Sequence, residues 1–410
     1  MTAPAPRGSS GKRLHILYVV QYFNDPNEPG GSRPHQFARA WAALGHQVTV
    51  LTSNLNHKTL STTNQTSTLD GVTIRRVPTY NEIRGGFGHR IVNFLSFAWR
   101  ATTHGLKIRN VDLVYASSTP LTTGLAGCVL GAIKRVPFYF EVRDLWPESA
   151  VVAGALKNPA VIKTIEFFER LFYRRAAKVI ALTQGIRDGV IAKGKDPADV
   201  LFVPNGMDDW MLEATPVPAA DSPFDREKHF ICAYIGAHGR WNKLETILEA
   251  AERVRGTRIR FLLVGDGDYK RDLLKYAERL KLDNVFFHDA VPKRQIFDYL
   301  AASHVAAICT WDHEFQRMVL ANKVFDYMAA GCPIVAAAAG ETADLVVRAD
   351  CGWTVEPERP DDLARLLITL SDTSPATLRQ KGQNGRAFVG RHYLRSELAA
   401  NLQQVFAKAG

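Results

Sequence analysis

Ala321-Asn322-Lys323-Val324-Phe325-Asp326-Tyr327-Met328-Ala329-Ala330-Gly331-Cys332-Pro333-Ile334-Val335 reads as a short helix opened by Asn322-Lys323, a glycine stop and a proline-led apolar strand. A helix N-terminus concentrates unpaired N–H groups and about half a positive charge, and Lys323 adds a whole one. That combination suits a diphosphate. One turn further in, Asp326 is a carboxylate placed to accept hydrogen bonds from a ribose diol. The segment alone equally fits a helix cap with a solvated lysine.

Outward from this stretch, two halves repeat one theme: a short apolar run, a glycine-bearing turn, an amphipathic helix. In the first half a buried-strand pattern at 15–20 leads through a loop at 24–32 to a helix at about 34–44, stopped by Gly45. A strand at 47–52 completes a βαβ unit, which implies a parallel sheet. Further strands are predicted at 113–116, 138–142 and 178–182, and 200–206 closes this half. Around 213–228 the composition turns to Pro, Ala, Asp and Ser, as in a linker. The theme restarts with strands at 230–235, 260–264, 285–287 and 305–308. The architecture predicted is α/β, two doubly wound Rossmann-like domains facing across a cleft, with ligands at the carboxyl ends of the strands.

The bulk properties bound the function. A chain of 410 residues holds two ordinary domains, and 46% hydrophobic with 22% charged residues is a globular composition. A formal charge of +10 favours an anionic partner. Five scattered cysteines without a CxxC spacing suggest a reducing compartment and no structural zinc. Residues 1–13 read as a disordered tail without the apolar core of a signal peptide, and no run is long enough to span a membrane. The expected location is cytoplasmic or on a membrane face.

Other motifs carry chemistry of graded specificity. Gly30, Gly31 and Ser32 lie between the first strand and first helix, where backbone N–H groups can approach a ligand. The loop is not GxGxxG, and no acidic residue closes the second strand, so a nicotinamide fingerprint is unsupported. Val264-Gly265-Asp266-Gly267-Asp268 contains an Asp-x-Asp of the kind that clamps a metal, although Gly-Asp-Gly after a strand is more often a βα turn with an Asp cap. Gly236-Ala237-His238-Gly239-Arg240-Trp241-Asn242-Lys243 brings a guanidinium and an ammonium to a strand end, suited to phosphate. Glu141-Val142-Arg143-Asp144-Leu145-Trp146-Pro147-Glu148 packs charge beside Trp and Pro at another strand end. Residues 90–107 and 162–178 mix basic with large apolar side chains. They fit either amphipathic core helices or docking on anionic lipid through Phe94, Phe97, Trp99, Phe168 and Phe172. Neither has the signature of a nucleic-acid module.

Taken in order, these pieces resemble the retaining GT-B glycosyltransferases of family 4. The resemblance rests on the Gly-Gly loop with PHQFARAWAALGHQVTVLT, then VIALTQGIRDGVIAKG, VLFVPNGMDD, FLLVGDGDYKRDLLKYAERLKLDNVFF, KVFDYMAAGCPIVAAAAGE and CGWTVEPERPDDLARLL. It covers about residues 14–407. RDLWPES and NKVFDYMAAG are most similar to the branch adding amino- or deoxy-sugars to bacterial surface polysaccharides (O-antigen, capsule or exopolysaccharide).

The resemblance implies transfer of a hexosyl or N-acetylhexosaminyl group from a nucleoside-diphosphate sugar, expected to be UDP-linked. Anomeric configuration is retained, and neither metal nor other cofactor is needed. It implies an acceptor-binding domain at 14–212, a linker at 213–229 and a nucleotide-sugar domain at 230–390. A final segment, 391–410, carries a helix that crosses back to the first domain. Gly30 and Gly31 match the loop lining the acceptor side and facing the donor phosphates, and Asp326 matches the second carboxylate of the Glu-x7-Glu motif. Met318 stands where that motif has its first Glu, with Glu314 nearby as a substitute candidate. Ala237 and Asn242 stand where the family has Arg and Lys, leaving Arg240, Lys243 and Lys323 to replace them.

The expected site therefore has Arg143, Asp144 and Lys323 as catalytic residues. Gly31, Arg240, Lys243, Asn322, Asp326 and Glu314 bind the donor, and Gly30, Ser32, Trp146 and Glu148 the acceptor. The partners expected are a nucleotide-sugar donor, a polyprenyl-diphosphate-linked glycan and an anionic membrane surface, with peripheral attachment to the inner face of the plasma membrane. Two rivals stay open: a GT-B-fold sugar-nucleotide 2-epimerase, and a non-catalytic sugar-nucleotide-binding protein.

Overall fold

Short apolar runs become buried parallel strands in two separate sheets. The computed structural model describes residues 12–24, 31–54, 65–80 and 87–407. The chain divides into two compact units. The first is Met1–Phe23, Ser32–Pro204 and Arg395–Gly410, and the second is Asn24–Gly31 with Asn205–Leu394.

In the first unit the strands are β1 (His15–Val19), β2 (Gln47–Ser53), β3 (Gln65–Leu69), β4 (Val72–Val77), β5 (Leu113–Ser117), β6 (Phe138–Val142), β7 (Lys178–Ala181) and β8 (Val200–Phe202). Their order in the sheet is β3-β4-β2-β1-β5-β6-β7-β8. Every pair is parallel except β3 with β4. That hairpin escaped the sequence reading: β3 is exposed at all five positions, so no burial pattern marks it. Its helices are α1 (Arg33–Ala43), α2 (Phe87–Leu106), α3 (Thr123–Lys134), α4 (Glu148–Val152), α5 (Pro159–Arg175) and α6 (Gln184–Ala192).

The second unit opens with α7 (Trp210–Glu213) and β9 (Phe230–Ile235). Then come α8 (Glu245–Arg253), β10 (Ile259–Val264), α9 (Lys270–Arg279), β11 (Val285–His288), α10 (Ile296–Ala301) and β12 (Val305–Cys309). It continues with α11 (Glu314–Arg317), α12 (Asn322–Ala329), β13 (Ile334–Ala337), α13 (Glu341–Arg348), β14 (Gly352–Val355), α14 (Pro360–Ser371) and α15 (Pro375–His392). The order is β11-β10-β9-β12-β13-β14, wholly parallel. Both sheets are thus Rossmann-like, built from right-handed crossover units.

The last helix, α16 (Arg395–Ala407), belongs to the first unit and packs on α1. Trp41 of α1, fully buried, donates from its indole N–H to the Ala399 carbonyl at 3.0 Å. Its ring also meets Phe406 at 5.4 Å between centroids.

The unit boundary falls after Pro204, not at 212/213. Met207 and Met211 are fully buried in the second unit's core, and the Met207 N–H donates to the Tyr393 carbonyl at 2.9 Å. The stretch expected as a linker also packs there. Phe224 rests on that core, and the Val217 N–H donates to Asp298 at 3.2 Å. Pro-rich composition reported loss of regular structure, which is not the same as loss of contacts. The lower boundary likewise lies at Leu394/Arg395 rather than 390/391.

Candidate active site

In the second unit the chemistry gathers where β9 ends. Tyr327 of α12 accepts from the Ile235 N–H at 2.8 Å and donates to the Ile235 carbonyl at 2.9 Å. This double bond pins the first turns of α12 against the mouth of β9. Lys323 is thereby held with its ammonium 2.6 Å from the Tyr234 hydroxyl and 2.8 Å from Asn242 Oδ1. It sits 4.2 Å from the Tyr234 ring centroid. Asn242 and Tyr234 both donate in turn to the Ala237 carbonyl, at 2.9 and 2.8 Å. Burial pushes the Lys323 ammonium down to about 7. Among the described residues no carboxylate pairs with this cation, which suits it to an anionic ligand.

The loop after β9 lies unusually close to the loop after β10. A Cβ on Gly265 would fall 1.9 Å from the Gly236 carbonyl oxygen, and one on Gly267 2.4 Å from that of His238. Glycine is therefore required at both by steric contact. The Asp266 side chain accepts from the Gly267 N–H at 2.8 Å, which accounts for it as a turn residue. Among the described residues, no group of three or more His, Cys, Asp and Glu stands in metal-binding range.

The three cations expected at the phosphates are not brought together. Lys243 pairs with Glu358 at 2.8 Å, and Arg240 lies over the Tyr269 ring, 3.6 Å from Asp272. Of the three, Lys323 donates to Asn242, which stands where the resembled family has lysine. The charge reaches that point from another helix. Asn322 opens α12 in the same turn. Asp326 is buried, and its carboxylate faces the Lys293 ammonium at 3.2 Å, with Asp208 3.9 Å from the same lysine. The predicted ribose ligand is thus already paired in this structure. Lys293 and Asp208 were missed because nothing local marks them: their pairing spans loops far apart in sequence. Glu314 is exposed at the start of α11, and Met318 caps that helix.

In the first unit the polar cluster forms where β6 ends. The Arg143 N–H donates to Ser118 Oγ at 2.9 Å. Burial pushes the Asp144 carboxyl up to about 6, against the opposing pull of Arg143 and a hydrogen bond with Thr119. Glu148, expected at the acceptor, pairs with Lys193 at 2.7 Å, and the Trp146 carbonyl accepts from the same ammonium at 3.2 Å. Ser32 is 1% exposed and accepts from the buried Arg395 at 2.9 Å, so its hydroxyl anchors α16. Gly31 is partly exposed just before α1, while Gly30 lies outside the described residues. Of the aromatic side chains expected at a lipid surface, Phe97 and Phe172 are instead core residues, whereas Trp99 and Phe168 are exposed.

Asp144 yields a signed prediction. Its folded pKa stands above the ordinary carboxylate value, so between 3.8 and about 6 the folded state binds more protons than the unfolded one. Stability then falls as pH rises through that window. Asp144→Asn is expected to be more stable than the parent at pH 7.5 by about 1–2 kcal/mol, the difference vanishing near pH 4. Urea unfolding at both pH values checks this, and equal or lower stability at pH 7.5 would contradict it.

The sequence matches the glycosyl transferase 4-like domain over residues 30–206 and the glycosyl transferases group 1 domain over 229–373. It is 25% identical over 283 residues to the probable glycosyltransferase WbjE of Pseudomonas aeruginosa, covering 66% of this chain and 69% of that one. It is 29% identical over 154 residues to the putative colanic acid biosynthesis glycosyl transferase WcaI of Escherichia coli K12, covering 34% of this chain and 37% of that one. The fold is shared with Anabaena HepE, solved in complex with UDP and glucose, at a TM-score of 0.68 and 17% identity, covering 96% of this chain and all of that one. Two Rossmann-like units with a returning C-terminal helix define the GT-B fold. The chain belongs to the family-4 glycosyltransferases, and one of the relatives it resembles is named for colanic acid biosynthesis.

Proposed function

We propose that the protein transfers a hexosyl or N-acetylhexosaminyl group from a UDP-sugar to a lipid-linked surface-glycan acceptor, with retention and without a metal. The observation that carries the donor half is the partly buried Lys323 ammonium at the N-terminus of α12, held by two neutral oxygens. When the nucleoside diphosphate departs, negative charge develops on its β-phosphate. A preplaced ammonium and helix N–H groups stabilise that charge more than they stabilise the ground state. With no carboxylate nucleophile assigned, attack on the face the leaving group vacates accounts for retention, the leaving phosphate taking the acceptor's proton. Arg143 and Asp144 position the acceptor. HepE was solved with UDP, which supports the choice of base, and the name of WcaI, a putative colanic acid biosynthesis glycosyl transferase, supports the surface-glycan acceptor. The protein works at the inner face of the plasma membrane, where such an acceptor is reached.

The test is thermal unfolding with UDP-, GDP-, dTDP- and ADP-sugars, each with and without EDTA. A ligand at 100 times its Kd adds about 2.7 kcal/mol. The expected result is a shift with the UDP-sugar alone, unchanged by EDTA. A shift abolished by EDTA would overturn the metal-free reading, and a shift confined to another base would overturn the donor.

A further inference from the structure

The loops that carry the first unit's polar cluster also wall an apolar cavity. Thr119 and Arg143-Asp144 form the polar side. The residues next along the same two loops, Pro120-Leu121 and Trp146, line a cavity of about 340 Å³ completed by α2, α3 and α5. Phe94, Leu95, Leu125, Ile165 and Phe168 supply much of its wall. Its two threonines turn their hydroxyls onto backbone carbonyls, Thr122 to Phe94 at 3.1 Å and Thr164 to Ala160 at 2.8 Å. They therefore offer no free donor to a polar guest. A cleft so lined favours a hydrocarbon guest over a polar one.

The surface around it is both greasy and basic. Among the described residues, nine of the nineteen exposed large hydrophobic side chains lie on α2, α3 and α5. Trp99 is 69% exposed, Phe167 58% and Ile133 60%. The three helices pack in series, α2 on α3 and α3 on α5, and exposed apolar side chains concentrated on neighbouring elements mark an interaction surface. The same helices carry seven Lys and Arg against two Glu, and one of these, Glu169, is buried and paired with Lys193. This charge suits a phosphate-headed lipid.

We infer that the cavity between α2, α3 and α5 receives the isoprenoid chain of the acceptor, holding it beside Asp144 while its diphosphate and glycan face the polar loops. The inference rests on the lipid-linked acceptor proposed above and assigns a site within it. The chain enters through the exposed rim at Leu95, Leu125 and Phe168. Binding energy from this non-reacting part of the substrate then serves to orient the acceptor hydroxyl.

Isothermal titration of the full chain with farnesyl diphosphate, and separately with inorganic diphosphate, tests it. Farnesyl diphosphate is expected to bind at least about tenfold more tightly, because its chain removes apolar surface from water. Leu125→Asp, which puts a charge at the rim, and Leu125→Trp, which fills the space without charge, should each erase that advantage. Leu125 reaches solvent, so both are tolerable to the fold, and unchanged UDP binding in the second unit verifies it. Trp99→Ala, outside the cavity, should keep the isoprenoid affinity while weakening retention on phosphatidylglycerol vesicles. The assignment is overturned if farnesyl and inorganic diphosphate bind alike, if both Leu125 variants bind as the parent does, or if Trp99→Ala loses as much as they do. Its failure differs from failure of the functional reading. Transfer to a lipid-linked glycan with unaltered KM in both variants removes the cavity and keeps the acceptor. Leu125-dependent farnesyl binding without any such transfer keeps the cavity and removes the acceptor.

Discussion

Lys323→Met should lower turnover by about 10²–10³-fold, the usual consequence of removing one donor from a developing oxyanion, while the fold becomes no less stable. The two halves of this expectation have one cause. Burial holds the Lys323 pKa at about 7 instead of 10.5, so between those values the unfolded chain binds more protons than the folded one. Stability must then rise as pH rises through that window. At and below pH 7 the parent carries a desolvated ammonium that, among the described residues, is held by the neutral oxygens of Tyr234 and Asn242 and by the Tyr234 ring. Methionine keeps most of the volume and removes that cost. Tyr234 and Asn242 retain their bonds to the Ala237 carbonyl, so neither is stranded. Unfolding free energies of parent and variant at pH 7 and pH 9.5, beside kcat with the donor found by thermal shift, check both halves. Loss of turnover matched by loss of stability would mean that Lys323 is structural.

The largest stability effect should come from Arg33→Met, which is expected to cost about 3–5 kcal/mol, because it leaves a buried carboxylate without its counter-charge. Arg33 and Glu141 are 1% and 0% exposed and pair at 2.9 Å. The guanidinium also donates to the carbonyls of Val203, at 3.1 Å, and Pro204. Tyr115 and Ser117 each donate to Glu141 at 2.7 Å. Burial alone raises the Glu141 pKa, but Arg33, Arg143 and these bonds outweigh it and hold the carboxyl below its ordinary range. Pairing Arg33→Met with Glu141→Met should recover at least half the loss, since an apolar pair of similar volume is often tolerated where a lone charge is not. Tyr115 and Ser117 then lose an acceptor, so recovery is incomplete. Chemical denaturation of the two single variants and the double variant decides it. A double variant as unstable as the sum of the singles would show that the pair contributes through shape rather than charge.

The network has a functional corollary. Glu141 lies two residues before Arg143 on the strand that leads into the polar cluster, and Arg33 opens α1. One ion pair therefore ties the first turn of α1 to β6 inside the first unit. From sequence, Glu141 read as part of a polar cluster at a strand end, and Arg33 was not singled out.

Much of the fold was legible because burial in a parallel sheet is written locally. Runs such as Phe230–Ile235 and Val305–Cys309 are buried at every position, so hydrophobicity within five or six residues suffices to find them. The β3–β4 hairpin was not found, since its outer strand buries nothing. In the site, local sequence determined that a lysine stands in the first turn of a helix, where backbone N–H groups are unpaired. It also determined that Arg143 and Asp144 close a strand.

Only the tertiary structure decided which cation meets which partner. Lys323 reaches Asn242 across 81 positions of chain, and Arg33 reaches Glu141 across 108. Lys243 and Arg240 sit in the expected loop but turn to Glu358 and Asp272, and Asp326 turns to Lys293. A charge in a loop carries no periodicity from which its direction can be read. Its partner is set by which strand ends the sheet order places side by side, and that order is a long-range property of the whole chain.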